Sequence, residues 1–341
     1  MTKAALLVGC DYTGTSAQLS RGCIDDVQNI YQMLIRVYGY LPQNIVVLRD
    51  DDPKNLPTKA NILAKLQALV ASSTTMEEIW FHYSGHGTQI SQVCANTHRP
   101  SMEDAIVPID VISRSSAINL QNLIMADQLH AYARQVAASC RAIWLFDSCH
   151  SGTICELPYK FDFTNRALAL TSSSSLAIPC QQFYMMSGCT DLGTSANIYL
   201  QVMNEYVGAF TTILILTLQM YNYAVDIKTL YEEVCLELTQ NGFSQHPWLS
   251  CGNASPNFTL RPAISGGTLP TIIPMRLTPI PIPATVPIVP VPSVPLSTRR
   301  RVPPRPRRRR RQHVRMVITH STSVYPSVGV GHENVVFSLN R

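Results

Sequence analysis

The feature that most constrains this chain of 341 residues is a set of short, nearly continuous apolar runs separated by amphipathic stretches. Residues 4–10, 79–83, 142–146 and 183–187 are too short for buried helices and lack the strict alternation of a half-exposed strand. Runs of this kind belong to strands covered on both faces, as in a parallel sheet. Helical patterns lie between them. One covers 26–38, with Val27, Ile30, Leu34 and Val37 on one stripe and Gly39 ending it. A second starts at Thr58, a suitable cap, and turns Ile62, Leu66 and Leu69 inward; a third covers 126–138. Short strands are expected at 45–48 and 105–109, helices at 205–221 and 227–240, and a closing strand or two between Trp248 and Leu260. This order predicts an α/β fold, a mostly parallel sheet flanked by helices on both faces.

Residues 156–181 lose periodicity and include four consecutive serines from Ser172. They are expected to form an exposed loop dividing a larger portion (about 1–160) from a smaller one (182–261) within a domain spanning 1–261. Prolines recurring from Pro262 to Pro295 exclude helix and central strand, so 262–298 reads as an extended linker. An Arg-rich disordered tail, 299–341, follows. Ten arginines from Arg299 to Arg315 account for more than the whole net charge of +5 and leave −5 on residues 1–298, so charge does not mark the folded part as a nucleic-acid binder. The ten cysteines show no paired C-x-x-C and no repeated spacing, which indicates neither a zinc site nor a disulfide framework. The apolar start is too short for a signal peptide, and the uncharged run 207–220 reads as a buried helix, not a membrane span. The expected location is the cytosol, with the nucleus as the alternative.

Ligands of an open parallel sheet bind beyond the carboxyl ends of its strands. Two such ends carry chemistry. After 79–83 comes Ser84-Gly85-His86-Gly87, in which two glycines let the chain turn sharply around an accessible imidazole. After 142–146 comes Asp147-Ser148-Cys149-His150-Ser151-Gly152, which places a thiol in the same crevice where the strands are neighbours. A cysteine attacks as thiolate, an imidazole takes its proton, and the same imidazole later protonates the leaving amine. Backbone N–H groups of Gly87 and Cys149 are the expected oxyanion donors. His150 is a competing base, although residues adjacent at a strand end usually diverge.

These two boxes closely resemble the His and Cys boxes of metacaspases, caspase-fold peptidases that cut after Arg or Lys. Arg21-Gly22-Cys23-Ile24-Asp25-Asp26 is similar to that family's Gly-Cys-x-Asn/Asp-Asp element. Ser187-Gly188-Cys189, Thr194-Ser195-Ala196 and Gln245-His246-Pro247 resemble small-subunit landmarks of its type I members. The resemblance extends over about 1–260 and implies a caspase-like fold, a thioester acyl-enzyme on Cys149, a monomer, and an S1 pocket built from Cys23, Asp26, Ser84 and Asp147. Two carboxylates in a partly desolvated slot favour a guanidinium independently of any family. An alternative keeps Asp26 as a cap of its own helix, with Asp25 doing the selecting.

The resemblance also implies calcium as an activator, no cofactor being needed for the chemistry itself. The matching acidic positions are Glu103, Asp127 and Glu156, but Ala126 stands where an aspartate is usual, and calcium takes about six to eight oxygen ligands. Lys160 and Arg166 in the expected loop are candidate self-cleavage points. The chain starts almost at its first strand, from which absence of the N-terminal prodomain of many type I members is expected. For the arginine run three readings stay open: a nuclear-targeting or nucleic-acid patch, a membrane- or acidic-partner patch, and an arm with no specific partner. It contains no aromatic residue to stack on bases. A non-catalytic scaffold delivered to an anionic partner by that tail is the rival to an active peptidase.

Overall fold

The apolar runs become the strands of one sheet, and the amphipathic stretches become the helices that cover it. A computed structural model describes residues 2–19, 22–93, 100–113, 115, 117–149, 151–152, 154–164, 167–173, 177–188, 197–200, 205–243, 245–263 and 337–338. The first half contains β1 (Lys3–Gly9), α1 (Gly22–Arg36), β2 (Ile45–Arg49), α2 (Lys59–Ser72), β3 (Glu78–Ser84), β4 (Gly87–Val93), β5 (Pro100–Ile106), β6 (Ile124–Met125), α3 (Ala126–Ala133) and β7 (Arg141–Asp147). The second half continues with β8 (Tyr159–Thr164), β9 (Ala167–Ser173), β10 (Phe183–Ser187), β11 (Asn197–Leu200), β12 (Glu205–Gly208), α4 (Ala209–Met220), β13 (Val225–Asp226), α5 (Ile227–Gln240), β14 (Trp248–Cys251), β15 (Thr259–Leu260) and β16 (Phe337–Ser338).

Eight strands form the central sheet in the order β2-β1-β3-β7-β10-β14-β8-β9. The five from β2 to β10 are parallel; β14, β8 and β9 each pair antiparallel with the strand before them in that order. Because side chains alternate across a strand, β1, β3 and β7 feed two cores. Leu6, Val8, Phe81, Tyr83 and Trp144 pack with Ile62 and Leu66 of α2 and Leu129 of α3. Leu7, Trp80 and Leu145 pack on the other face with Val27 and Ile30 of α1, Ile213 of α4 and Leu230 of α5. Each such side chain contributes about 1.5–3 kcal/mol on burial, which is why both faces must be covered. The α/β architecture with helices on both faces is therefore the one expected, and Thr58 caps α2 by accepting from the Asn61 N–H. No helix among the described residues is long and apolar enough to cross a membrane.

Several expectations need correction. Residues 156–181 are not simply a loop: β8 and β9 form a hairpin that joins the main sheet through β14. The strict alternation Tyr159-Lys160-Phe161-Asp162-Phe163 explains it, since Phe161 is buried while Asp162 is partly exposed. The helix expected from 205 begins at Ala209, because Glu205–Gly208 pairs with Asn197–Leu200. The strand expected at 105–109 is the end of β5, which lies antiparallel to β4 and next to β6. Helix α3 stops at Ala133 instead of 138, its chain closing into turns such as Val136 N–H to Ala133 O. Near the C-terminus, Phe337 and Ser338 lie parallel to β4 opposite Ile90 and Ser91. Apart from Pro262 and Ala263, the rest of the Pro-rich and Arg-rich segments lies outside the described residues.

Candidate active site

Strand register decides where the chemistry converges. Gly9, Ser84 and Asp147 lie side by side at the carboxyl ends of β1, β3 and β7. Two residues further along each chain stand Asp11, His86 and Cys149. The ladder persists one step past the strands, with Cys10 N–H donating to Ser84 O at 3.0 Å and Gly85 N–H to Asp147 O at 3.2 Å. Gly87 then lies so close to the Cys149 peptide that an added Cβ would collide with the Cys149 carbonyl oxygen. The two expected oxyanion residues are thus in backbone contact, and only glycine fits that approach.

His86 is held from several sides. Its Nε2 lies 2.8 Å from the Ala17 carbonyl oxygen. A carbonyl only accepts, so in the neutral ring Nε2 carries the proton and Nδ1 is the basic nitrogen. The His86 N–H donates to Tyr12 Oη at 2.9 Å, and its carbonyl accepts from Tyr83 Oη at 2.8 Å and from the Val107 N–H at 3.1 Å. Cys149 is half-buried. Burial pushes the thiols of Cys140 and Cys235 up to about 12 and that of Cys180 to about 11, and raises those of Cys10, Cys23 and Cys155 strongly. A thiol whose pKa is raised by burial holds little thiolate at neutral pH.

The four residues expected in S1 are brought together and are all buried. Ser84 Oγ donates to Asp26 Oδ2 at 2.7 Å, and the Cys23 thiol is raised by burial, then by the charges of Asp11 and Asp26, against a hydrogen bond with Ser84. Asp147 Oδ2 accepts both the N–H and the hydroxyl of Thr211, at 3.0 and 2.9 Å, which anchors it to the N-terminal turn of α4. Thr211 Oγ1 also lies 3.5 Å from Nε2 of His82, whose imidazole complete burial holds neutral, down at about 3. Asp25 is half-buried in the first turn of α1. Tyr12, Asp11 and Thr211 were not legible as site residues: each is recruited across more than 60 positions of sequence or by a backbone turn, and no local pattern marks it.

Two small-subunit landmarks also meet here. Gly188 N–H donates to Phe146 O at 2.7 Å, and the buried Gln245 donates to Gly188 O at 3.3 Å. The three acidic residues matched to a calcium site approach one another. Burial and then the Asp127 charge push the Glu103 carboxyl up, Asp127 N–H pulls it down, and Glu156 adds repulsion. Among the described residues, no group of three His, Cys, Asp or Glu side chains is arranged to hold a metal ion. Lys160 lies within β8, paired with Ser250 of β14, its ammonium 3.9 Å from the centre of the Trp248 ring. Arg166, His150, Cys189, residues 194–196 and the arginine run lie outside the described residues.

Residues 3–158 match the metacaspase, peptidase C14 domain. That stretch begins with β1 and ends just before β8, so it contains both boxes and three of the strands that align them. Over 162 residues, 47% of the chain, the sequence is 39% identical to metacaspase-1 of Kluyveromyces lactis and 40% identical to metacaspase-1 of Yarrowia lipolytica. The chain spans about a third of the length of these curated relatives, 35% and 33% respectively. A solved structure of a Geobacter sulfurreducens protein superposes with a TM-score of 0.51 at 18% identity, covering 75% of this chain and 96% of that one, a likeness of fold.

Proposed function

We propose that the chain is a cysteine endopeptidase of the metacaspase type that cleaves after Arg or Lys. The observation that carries the reading is the register of β3 and β7, which sets His86 and Cys149 at one level with Gly87 against the Cys149 peptide. The metacaspase match over the same residues supports it.

In this reading the Cys149 thiol passes its proton to His86 Nδ1, and the thiolate adds to the scissile carbonyl. The resulting oxyanion is met by the Gly87 and Cys149 N–H groups; losing one such donor costs about 3–4 kcal/mol of barrier. The imidazolium gives its proton to the leaving amine as the C–N bond breaks, leaving a thioester. Water, deprotonated by His86, releases the acid and restores the thiol. Asp26 and Asp147 bind the P1 cation, with Ser84 and Cys23 lining the slot. Self-processing, where it occurs, falls at Lys160 or Arg166.

The test is hydrolysis of a short peptide with Arg at P1. Wild type is expected to turn it over, and to prefer it to the matching P1 Asp peptide. Cys149→Ala and His86→Ala are each expected to lose at least about a thousandfold in kcat/KM. Wild-type protein that is folded yet inert, or a Cys149→Ala variant that retains turnover, sinks the proposal and leaves the scaffold reading. Adding calcium or a chelator to the same assay decides the activator expectation, and Lys160→Ala and Arg166→Ala decide the processing point.

A further inference from the structure

The groups that grip His86 come largely from one short segment, the turn that leaves β1. Tyr12 in that turn is an aromatic residue at φ +54°, a region L-residues enter at a cost of about 1–2 kcal/mol. It is almost fully buried, at 1% exposure. The strained backbone aims its side chain beneath the catalytic loop. Its single hydroxyl proton goes to Val107 O at 2.6 Å, so the oxygen is the acceptor for His86 N–H. Its ring centroid lies 4.6 Å from that of the imidazole, the planes tilted by 37°. Five residues on, Ala17 supplies the carbonyl that meets Nε2. One turn therefore touches the histidine at its backbone, its ring face and its distal nitrogen.

We propose that Tyr12 is a positioning residue for His86. The inference rests on the reading of His86 as the general base. An imidazole free to flip about Cβ–Cγ would put Cδ2 in the place of Nδ1 and take Nε2 away from the Ala17 carbonyl; the tyrosine face and that carbonyl hold one orientation. When the ring becomes imidazolium, the same π face stabilises its charge. Strain retained at a buried aromatic residue is the kind of local cost that functional sites carry and the surrounding fold must offset.

The experiment compares Tyr12→Leu and Tyr12→Phe with wild type in the Arg-P1 assay. Loss of the ring face should lower kcat by about tenfold to a hundredfold with KM within about twofold, because misplacement of a reacting group acts on the chemical step. Tyr12→Phe keeps the face and should restore kcat to within about threefold of wild type. Nitrogen-labelled histidine gives a readout independent of turnover: the His86 Nε2–H signal, assigned with His86→Ala, should exchange faster with solvent in Tyr12→Leu and remain protected in Tyr12→Phe. Folded Tyr12→Leu protein with wild-type kcat and a protected signal overturns the inference. Inert wild type combined with the expected change in signal rejects the peptidase reading while the positioning role stands. Should Tyr12→Leu fail to fold, Tyr12→Phe decides alone: folded protein with kcat reduced more than about tenfold assigns the effect to the hydroxyl and overturns the role given to the ring.

Discussion

At the amino ends of the strands Glu78 is buried between two cations, whereas at the carboxyl ends Asp11 is buried with Oδ2 facing no hydrogen-bond donor among the described residues. Glu78 Oε1 meets Lys3 Nζ at 3.1 Å and accepts from Tyr40 Oη at 2.8 Å, while Oε2 meets Arg141 Nη1 at 3.1 Å. Asp11 Oδ1 accepts the Cys23 N–H at 3.1 Å, at the start of α1. Burial raises its carboxyl to about 6, with the charge of Asp50 adding and the Cys23 hydrogen bonds opposing. One pole uses its carboxylate to tie β1, β3 and β7 together. The other keeps acidic groups where folding alone does not favour them, and Asp26 and Asp147 on the same side are gripped by neutral donors, Ser84 and Thr211. The difference separates a charge retained for stability from charges to which the proposed function assigns a ligand.

The largest expected effect strikes the amino pole. Glu78→Gln keeps the shape and removes the charge, leaving the Lys3 ammonium at 9% side-chain exposure without its carboxylate. Breaking a buried pair from one side costs about 3–5 kcal/mol. The Arg141 share is smaller, because that side chain is 27% exposed. Urea unfolding checks it: the midpoint should fall with the slope unchanged. A loss under about 1 kcal/mol would make this pole an ordinary surface cluster and dissolve the contrast.

Asp11→Asn tests the other pole through pH. The folded-state value of about 6 lies above the ordinary 3.8, so the folded protein binds this proton more tightly than the unfolded chain. The resulting stabilisation is fully present below about pH 4 and is lost as pH rises through about 6. A shift of this size corresponds to about 3 kcal/mol. Measured against Asp11→Asn, wild type should therefore gain up to about 3 kcal/mol in unfolding free energy between pH 7.5 and pH 4. Parallel stability curves for the two proteins would show that Asp11 is solvated in the folded state, contrary to its 1% exposure.

The contrast between the poles was only half legible in the sequence. The apolar runs marked β1, β3, β7 and β10, and with them the level at which Ser84 and Asp147 end, because burial on both faces demands continuous hydrophobes. The His86 and Cys149 boxes followed from their positions after those runs. The β4–β5 hairpin escaped because Gln89, Ser91 and Gln92 dilute its alternation. The β8–β9 hairpin escaped because the serines that follow outweighed a clear period of two. Nothing local announces that Asp11 is buried, that Tyr12 turns to positive φ, or that Thr211 reaches Asp147 across 64 positions. Such facts belong to packing of distant segments, and sequence periodicity carries no record of them.

That last pair offers the subtlest test of the carboxyl pole. Thr211 gives Asp147 both an N–H and a hydroxyl, so Asp147 serves the helix terminus of α4 as well as the proposed P1 cation. Asp147→Ala would therefore mix lost binding with a loosened helix. Thr211→Val is nearly isosteric, keeps the backbone donor and removes one hydrogen bond to a carboxylate, worth about 1.5–3 kcal/mol at most. Where Asp147 acts chiefly as a cap, the loss appears in the unfolding midpoint and KM for Arg-P1 peptides is unchanged. Where it selects the cation, the carboxylate gains freedom and KM rises about threefold to tenfold, with kcat nearly constant, because uniform binding is what has been weakened. A fall in kcat at fixed KM would place Thr211 with the reacting atoms and would blur the division between selecting charge and catalytic dyad on which the contrast depends.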